Sequence, residues 1–447
     1  MKKTLLFFSV LILAVEFPLF ALAGKDIKLW MICSFLAGIF LIAEFWRGDF
    51  SLFKKSRIFY LSLFIVISSF LALPNSPEKV FSLNQILVLV LLTPLAVFWE
   101  LNFSKFSKEG YFALALGLGF SSLFAVYQNW AFEKGFTHFE VMAARPNGFF
   151  YEPDWLGFYL ALGLMPFIYV LIFKKQLGRD FSFFRHKIYL WFFNLLVAVA
   201  LFLTVARSGW LALIVGFVTI LGLRSLNLFL LKKGIPEIVK KKGWALGKFF
   251  FLIAIAYSLI FVFNLSRFDL ADRFRSIFFR EHVITLAVDE KTGEKLKINL
   301  EEKKDYIARG FRIIEEYIKD ENVSSREEKV IQNAEIIRRH SLSGNGPGIN
   351  QILTGYAHNA NNLFLEWWSG WGLLALVTFV GFLGCLMKKS LSGLAKKKKK
   401  SILLGGGLVA FVVVNLFNAS NLLAFAWFYL AWLSSLSPLI WPFKKKR

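Results

Sequence analysis

The sequence predicts an all-α integral membrane protein of about twelve transmembrane helices, with both termini cytoplasmic and one large helical loop on the external (periplasmic) side. Three observations predict it. The 447 residues are 57% hydrophobic and only 19% charged, whereas a soluble globular chain is roughly 45–50% apolar and about a quarter charged. The apolar residues gather into runs near the ~20 residues that span a bilayer. The connections between the runs alternate in charge along the whole chain, as the positive-inside rule requires of a polytopic protein.

The runs cover 4–23, 28–46, 58–73, 80–99, 111–131, 154–173, 188–206, 209–231, 245–265, 363–387, 401–418 and 421–442. The first has the layout of a cleaved secretory signal, with Lys2 and Lys3 at its start and Ala21-Leu22-Ala23 at its end. A second apolar run follows almost at once, which favours a retained helix; both readings put residue 24 outside. One set of connections is rich in Lys and Arg: Arg47, Lys54, Lys55 and Arg57, then Lys105 and Lys108, then Lys174 and Lys175 through Lys187. It continues with Lys232, Lys233 and Lys240 to Lys242, with Lys388, Lys389 and Lys396 to Lys400, and with Lys444 to Arg447. The other set (24–27, 74–79, 132–153 and 207–208) is short and poor in charge. The net charge of +23 is therefore read as cytoplasmic loops rather than as a nucleic-acid surface.

The expected organisation is a bundle of about nine helices over 1–265, an external loop over 266–362, and about three C-terminal helices over 363–447. Within the loop, Ile307, Phe311, Ile314 and Ile318 recur at helical spacing and predict a helix over 302–320. Residues 325–340 predict a second, with Ser324 and Glu327 as a capping box at its start. The run Gly344-Asn345-Gly346-Pro347-Gly348 ends it, because Gly and Pro do not continue a helix.

The chain has no Asp-x-Asp pair, no phosphate-binding Gly-x-x-x-x-Gly-Lys loop and no Gly-x-Ser-x-Gly elbow. Its five histidines, and its two cysteines (Cys33 and Cys385) in separate apolar runs, show no metal-site spacing. No metal and no cofactor is expected. What remains is polar chemistry on the external side. Arg145-Pro146-Asn147-Gly148 runs on to Tyr151-Glu152-Pro153-Asp154-Trp155-Leu156-Gly157, and is either an interfacial anchor or a site. Thr204-Val205-Ala206-Arg207-Ser208-Gly209-Trp210 interrupts an otherwise apolar stretch, where an Arg is costly unless it pairs or lines a polar cavity. The stretch from Ser341 to Trp371 carries the Gly344–Gly348 turn, His358-Asn359 and Glu366. A neutral imidazole such as His358 can take a proton from a hydroxyl. Arg267, Arg273, Arg275 and Arg280 follow the ninth run, where the positive-inside rule disfavours them. They point either to an anionic partner such as a diphosphate headgroup or to salt bridges with Asp269, Asp272 and Glu281.

These three constellations resemble the O-antigen ligase and polymerase family. Ala206-Arg207-Ser208-Gly209-Trp210 looks like its Ser-Arg-Ser-Gly-Trp motif. Arg145 to Gly157 resembles its Arg-x-x-Gly-x-Phe-x-x-Pro-Asn segment, with Asp154 where Asn is common. Gly344–Gly348, His358-Asn359, Glu366 and Gly370 resemble its external Gly-x-Gly-Pro-Gly…His-Asn…Glu…Gly block. The resemblance implies a metal-independent, lipid-carrier-dependent glycosyltransferase of the bacterial cytoplasmic (inner) membrane, its active site facing the periplasm. The donor would be a glycan on undecaprenyl diphosphate. The acceptor would be a hydroxyl on lipid A core, on another glycan, or on protein. His358 and Arg207 would be catalytic; Arg145, Arg207, Arg273, Arg275, Arg326 and Asn359 would hold diphosphate or glycan. The competing class is a membrane transporter or flippase, for which Glu16, Glu44 and Glu100 are the ionisable candidates.

Overall fold

In lipid every backbone polar group must find its partner within the chain, so long apolar runs become helices. The computed structural model describes residues 1–16, 18–22, 25–47, 55–140, 142–173, 180–184, 186–231, 235–279, 281–289, 292–298, 303–319, 321–355, 362–396 and 398–436. The main helices are α1 (Lys2–Leu11), α2 (Leu29–Trp46), α3 (Arg57–Ala72), α4 (Lys79–Asn102), α5 (Ser107–Glu133), α6 (Pro153–Phe173), α7 (Lys187–Leu203), α8 (Arg207–Leu230) and α9 (Ile235–Val262). After the long segment that follows α9 come α14 (Leu363–Trp371), α15 (Leu373–Ala395), α16 (Lys400–Leu416) and α17 (Ala424–Ser435). Among the described residues, eight helices are long and apolar enough to cross a membrane, and α7 and α16 are shorter apolar helices. The chain is thus a multi-pass membrane protein.

Helix α6 is the centre. Of its most apolar window 94% is buried inside the protein, against 28% for α9 at the periphery. Seven of the described tryptophans are almost fully buried: Trp30, Trp99, Trp210, Trp367, Trp371, Trp427 and Trp432. Phe35, Ile39 and Ile42 of α2 and Phe250, Phe251 and Phe261 of α9 face outward. A surface so apolar suits lipid and not water. Small residues let the helices close up, as they do in membranes. A Cβ on Gly216 of α8 would come within 2.8 Å of the Ala410 Cβ on α16.

The three carboxylates considered for transport are all engaged near helix ends. Glu16 pairs with Lys28 at 2.8 Å. Glu44 pairs with Lys2 at 3.5 Å and with Arg47 at 3.7 Å. Glu100 is buried and accepts from the Ser56 hydroxyl at 2.6 Å and from the Ile58 N–H at 3.1 Å, capping α3.

Several expectations are corrected. The first run is not one helix over 4–23. A short 3₁₀ turn, Ile12–Ala14, follows α1; Pro18–Leu22 (β1) then pairs antiparallel with Lys25–Lys28 (β2). Pro18 lacks the N–H that a helix needs, and the Glu16 N–H is spent on the Phe149 carbonyl at 3.0 Å. The run 363–387 breaks at Gly372, whose φ of +92° ends α14 and admits α15 at a new angle.

The segment between α9 and α14, expected as a helical external loop, is not wholly helical either. It holds α10 (Leu270–Phe279), α11 (Lys303–Ala308), α12 (Glu321–Arg339) and α13 (Ile349–Leu353), together with the strands β3 (Glu281–Val288), β4 (Lys295–Ile298) and β5 (Arg312–Lys319) in the antiparallel order β4-β3-β5. The helix predicted over 302–320 stops at Gly310, whose φ is +83°. The Ile- and Tyr-bearing segment beyond it suits a strand and pairs along its whole length with β3. The second predicted helix is present as α12, but it starts at Glu321, so Ser324 lies inside it rather than at its cap.

Candidate functional site at the loop end of the bundle

Arg145, the Thr204–Ser208 turn, Arg326 of the segment between α9 and α14, Asn362 and the Leu416–Asn418 turn meet at one end of the bundle. The opposite end carries the described Lys clusters, such as Lys388 and Lys389. At the loop end the 142–150 turn is fixed by Gln128 of α5, which is fully buried. Gln128 donates to the Phe139 carbonyl at 3.2 Å and to Asn147 Oδ1 at 3.3 Å, and it accepts from the Gly148 N–H at 2.8 Å. The Asn147 amide donates to the Phe150 carbonyl. Asn147 and Gly148 are therefore structural members of the motif, and they leave Arg145 as its projecting group.

Arg145 donates from Nε to the Thr204 carbonyl at 3.0 Å and from Nη2 to Asp154 Oδ1 at 2.8 Å. Thr204 belongs to the tight turn between α7 and α8. Its hydroxyl donates to the Leu201 carbonyl at 2.7 Å and accepts from the Ala206 N–H at 3.2 Å. Val205 is left-handed, with φ +55°, a conformation that β-branched residues avoid. Arg207 then opens α8. The two arginines thus converge on one turn although 59 residues separate Arg145 from Thr204. Close approach of α6 to this turn requires Gly157, where a Cβ would lie 2.3 Å from the Ala206 Cβ.

Helix α12, in the segment between α9 and α14, reaches the same region. The Arg326 guanidinium sits 5.8 Å from the Phe417 ring centroid. Lys329, one turn further on, lies in the fields of Arg326 and Glu152. Burial and the charge of Arg326 lower the Lys329 pKa, and Glu152 opposes them. Burial and the charge of Asp154 raise the Glu152 carboxyl, offset by Arg145 and Lys329. Alternating cations and carboxylates therefore line this face. Fixed guanidinium groups can bind phosphate oxygens bidentately.

Arg273 and Arg275 lie on α10, which packs against α8 and β3. Arg273 stacks over Phe268 at 5.2 Å. Asp269 accepts from the Ala271 and Asp272 N–H groups, and Arg267 pairs with Glu133 at 3.0 Å rather than with a local aspartate. His358 and Asn359 lie outside the described residues. The chain around them is anchored: Asn362 caps α14 by accepting from the Phe364 and Leu365 N–H groups, and it donates to the Leu416 carbonyl at 3.0 Å. Asn350 donates to Glu366 and to Ser369, both at 3.1 Å.

The Gly344–Gly348 turn is a joint. Gly344, Gly346 and Gly348 all have positive φ, and a Cβ on Gly344 would come within 2.5 Å of the Gly372 nitrogen. Among the described residues no group of three or more His, Cys, Asp or Glu is arranged to hold a metal ion.

Sequence reasoning missed Lys329 and Asn418 as members of this neighbourhood. Lys329 shares a helix face with Arg326, a signal available from spacing. Asn418 offers none, because its partner Ser208 is 210 residues away.

No curated protein and no solved structure matches the chain. Residues 192–380, from within α7 through Arg207 and the segment between α9 and α14 into α15, match the family model described as O-antigen ligase. Over this segment the chain is similar to the O-antigen ligase family.

Proposed function

We propose that the protein is a membrane glycosyltransferase that transfers a glycan from undecaprenyl diphosphate to an acceptor hydroxyl. The observation that carries this reading is the convergence of Arg145 and Arg207 on the Thr204–Ser208 turn, within a multi-pass protein similar to this family. The described Lys388 and Lys389 lie at the opposite end of the bundle, which by the positive-inside rule supports an arginine end that faces the periplasm of a bacterial inner membrane.

In this scheme the prenyl chain lies among the helices and the diphosphate rests on Arg145 and Arg207, with Arg326, Arg273 and Arg275 as further contacts. As the bond from the anomeric carbon to the diphosphate oxygen breaks, negative charge grows on the leaving group, and the guanidinium contacts strengthen in the transition state. The acceptor oxygen forms the new bond to that carbon and passes its proton to His358, while Asn359 orients the acceptor. General-base assistance of this kind is typically worth ~10²–10⁴-fold in rate. The leaving diphosphate supplies the driving force, so the reaction needs no metal or nucleotide. The transport reading finds no support in Glu16, Glu44 and Glu100, which are tied up near helix ends.

The test incubates purified protein in detergent and EDTA with undecaprenyl-diphosphate oligosaccharide, with and without lipid A core. A ladder of longer lipid-linked chains marks a polymerase, and core-dependent transfer marks a ligase. Transfer only to an added polypeptide marks a protein glycosyltransferase. Intact transfer by Arg207→Ala or His358→Ala at normal expression would sink the scheme.

A further inference from the structure

The turn between α16 and α17 lies beyond the family match, which ends at residue 380, yet it touches all three constellations. Asn418 Nδ2 donates to the Ser208 hydroxyl at 3.1 Å. Phe417 lies beneath Arg326, and the Leu416 carbonyl receives Asn362 at 3.0 Å. Phe425, just beyond the turn, packs edge-on against Phe150 at 5.8 Å.

The turn is itself braced. The Ser420 hydroxyl donates to Asn415 Oδ1 at 2.5 Å, Asn415 is fully buried, and the Trp427 indole donates to the Asn421 carbonyl at 2.7 Å. Asn418 therefore reaches Ser208 from a fixed base. Ser208 follows Arg207 directly, so the strained α7–α8 turn is held at both ends: by Arg145 at the Thr204 carbonyl and by Asn418 at the Ser208 hydroxyl. A strained conformation persists only where its surroundings over-determine it.

We propose, resting on the transfer reaction above, that Asn418 is a positioning residue that acts through Ser208 to fix Arg207 against the donor diphosphate. It touches no substrate. Its removal leaves the Asn415–Ser420 brace in place, so the loss falls on the orientation of Arg207 and not on the fold. Small misplacements of a reacting constellation can cost up to ~10²-fold.

The test compares wild type, Asn418→Ala, Ser208→Ala and the double variant, purified in detergent. Initial rates are measured with donor and acceptor varied separately, and binding of undecaprenyl diphosphate alone is measured by calorimetry. Each single variant is expected to lose roughly tenfold or more in kcat/KM for the donor, with acceptor KM unchanged. The double variant is expected to be no worse than either single one, because both remove the same bond. Wild-type donor kinetics in Asn418→Ala, losses that multiply in the double variant, or an equal rise in acceptor KM would each overturn the assignment. If Asn418→Ala fails to fold, Ser208→Ala reads the same bond from its other side. A wild type that binds undecaprenyl diphosphate but transfers nothing overturns the transfer reaction alone. The clamp is then read from binding: weakened in Asn418→Ala supports it, unchanged overturns it. A wild type that neither binds nor transfers overturns both.

Discussion

Arg145 donates through Nε to the carbonyl of Thr204 at 3.0 Å, three residues before Arg207, while its Nη2 holds Asp154 at 2.8 Å. A guanidinium can serve both partners at once because its donors form a planar fork; an ammonium is a point charge. Arg145→Lys is therefore expected to lose nearly as much glycan transfer as Arg145→Ala. Asp154→Asn keeps an acceptor oxygen and should retain most of the rate, whereas Asp154→Ala should cost roughly tenfold. Initial-rate assays on the four variants check this, and a fully active Arg145→Lys would contradict it.

Val205 pays for its left-handed backbone with about 1–3 kcal/mol of strain. Glycine adopts that conformation freely, at a chain-entropy cost of about 0.5–1 kcal/mol. Val205→Gly relieves this strain but deletes a buried core side chain, a loss of about 1.5–3 kcal/mol, so the thermal midpoint in detergent should change little while the transfer rate falls, because the turn that carries Arg207 then samples more conformations. A lower midpoint with unchanged rate would show that the strain has no bearing on the site.

Gly157 and Ala206 compete for the same space. A Cβ on Gly157 would lie 2.3 Å from the Ala206 Cβ and 3.1 Å from the Thr204 hydroxyl. Gly157→Ala should push α6 and α8 apart, lowering both folded yield and transfer. Ala206→Gly in the same chain removes the nearer clash and should restore much of each. Size-exclusion yield and rate of the single and double variants decide it, and absence of rescue would place the fault elsewhere.

Burial holds the Glu140 carboxyl up near about 7, the charge of Glu133 adds to the rise, and the Ala144 N–H offsets part of it. The folded state therefore keeps a proton that the unfolded chain releases near 4.5. The resulting stability is fully present below that value and is lost as pH rises through about 7. Glu140→Gln should flatten the dependence of the thermal midpoint on pH across this window and raise the midpoint at pH ~8 relative to wild type. A wild-type midpoint that climbs from pH ~5 to ~8, with Glu140→Gln unchanged from it, would refute the prediction.

Much of the architecture was legible in local sequence, for a physical reason. Lipid leaves the backbone no partner but itself, so residues 154–173 and 209–231 announce α6 and α8 by apolar length alone. The alternating charge of the connections predicts 132–153, 207–208 and 266–362 on one side, which brings Arg145, Arg207 and Arg326 together as an expectation. Local pattern failed where a distant partner decides. The helical spacing of Ile307, Phe311, Ile314 and Ile318 gave way to strand β5 because β3 supplies its hydrogen bonds. Glu321 extended α12 past the expected cap at Ser324.

What the sequence by itself determined is a polytopic helical protein, because hydrophobic length acts residue by residue. Only the tertiary structure decided which polar groups share a turn. The Arg145–Thr204 and Ser208–Asn418 bonds span 59 and 210 residues, and such pairings arise from helix packing at Gly157, Gly216 and Gly406, which local periodicity does not encode.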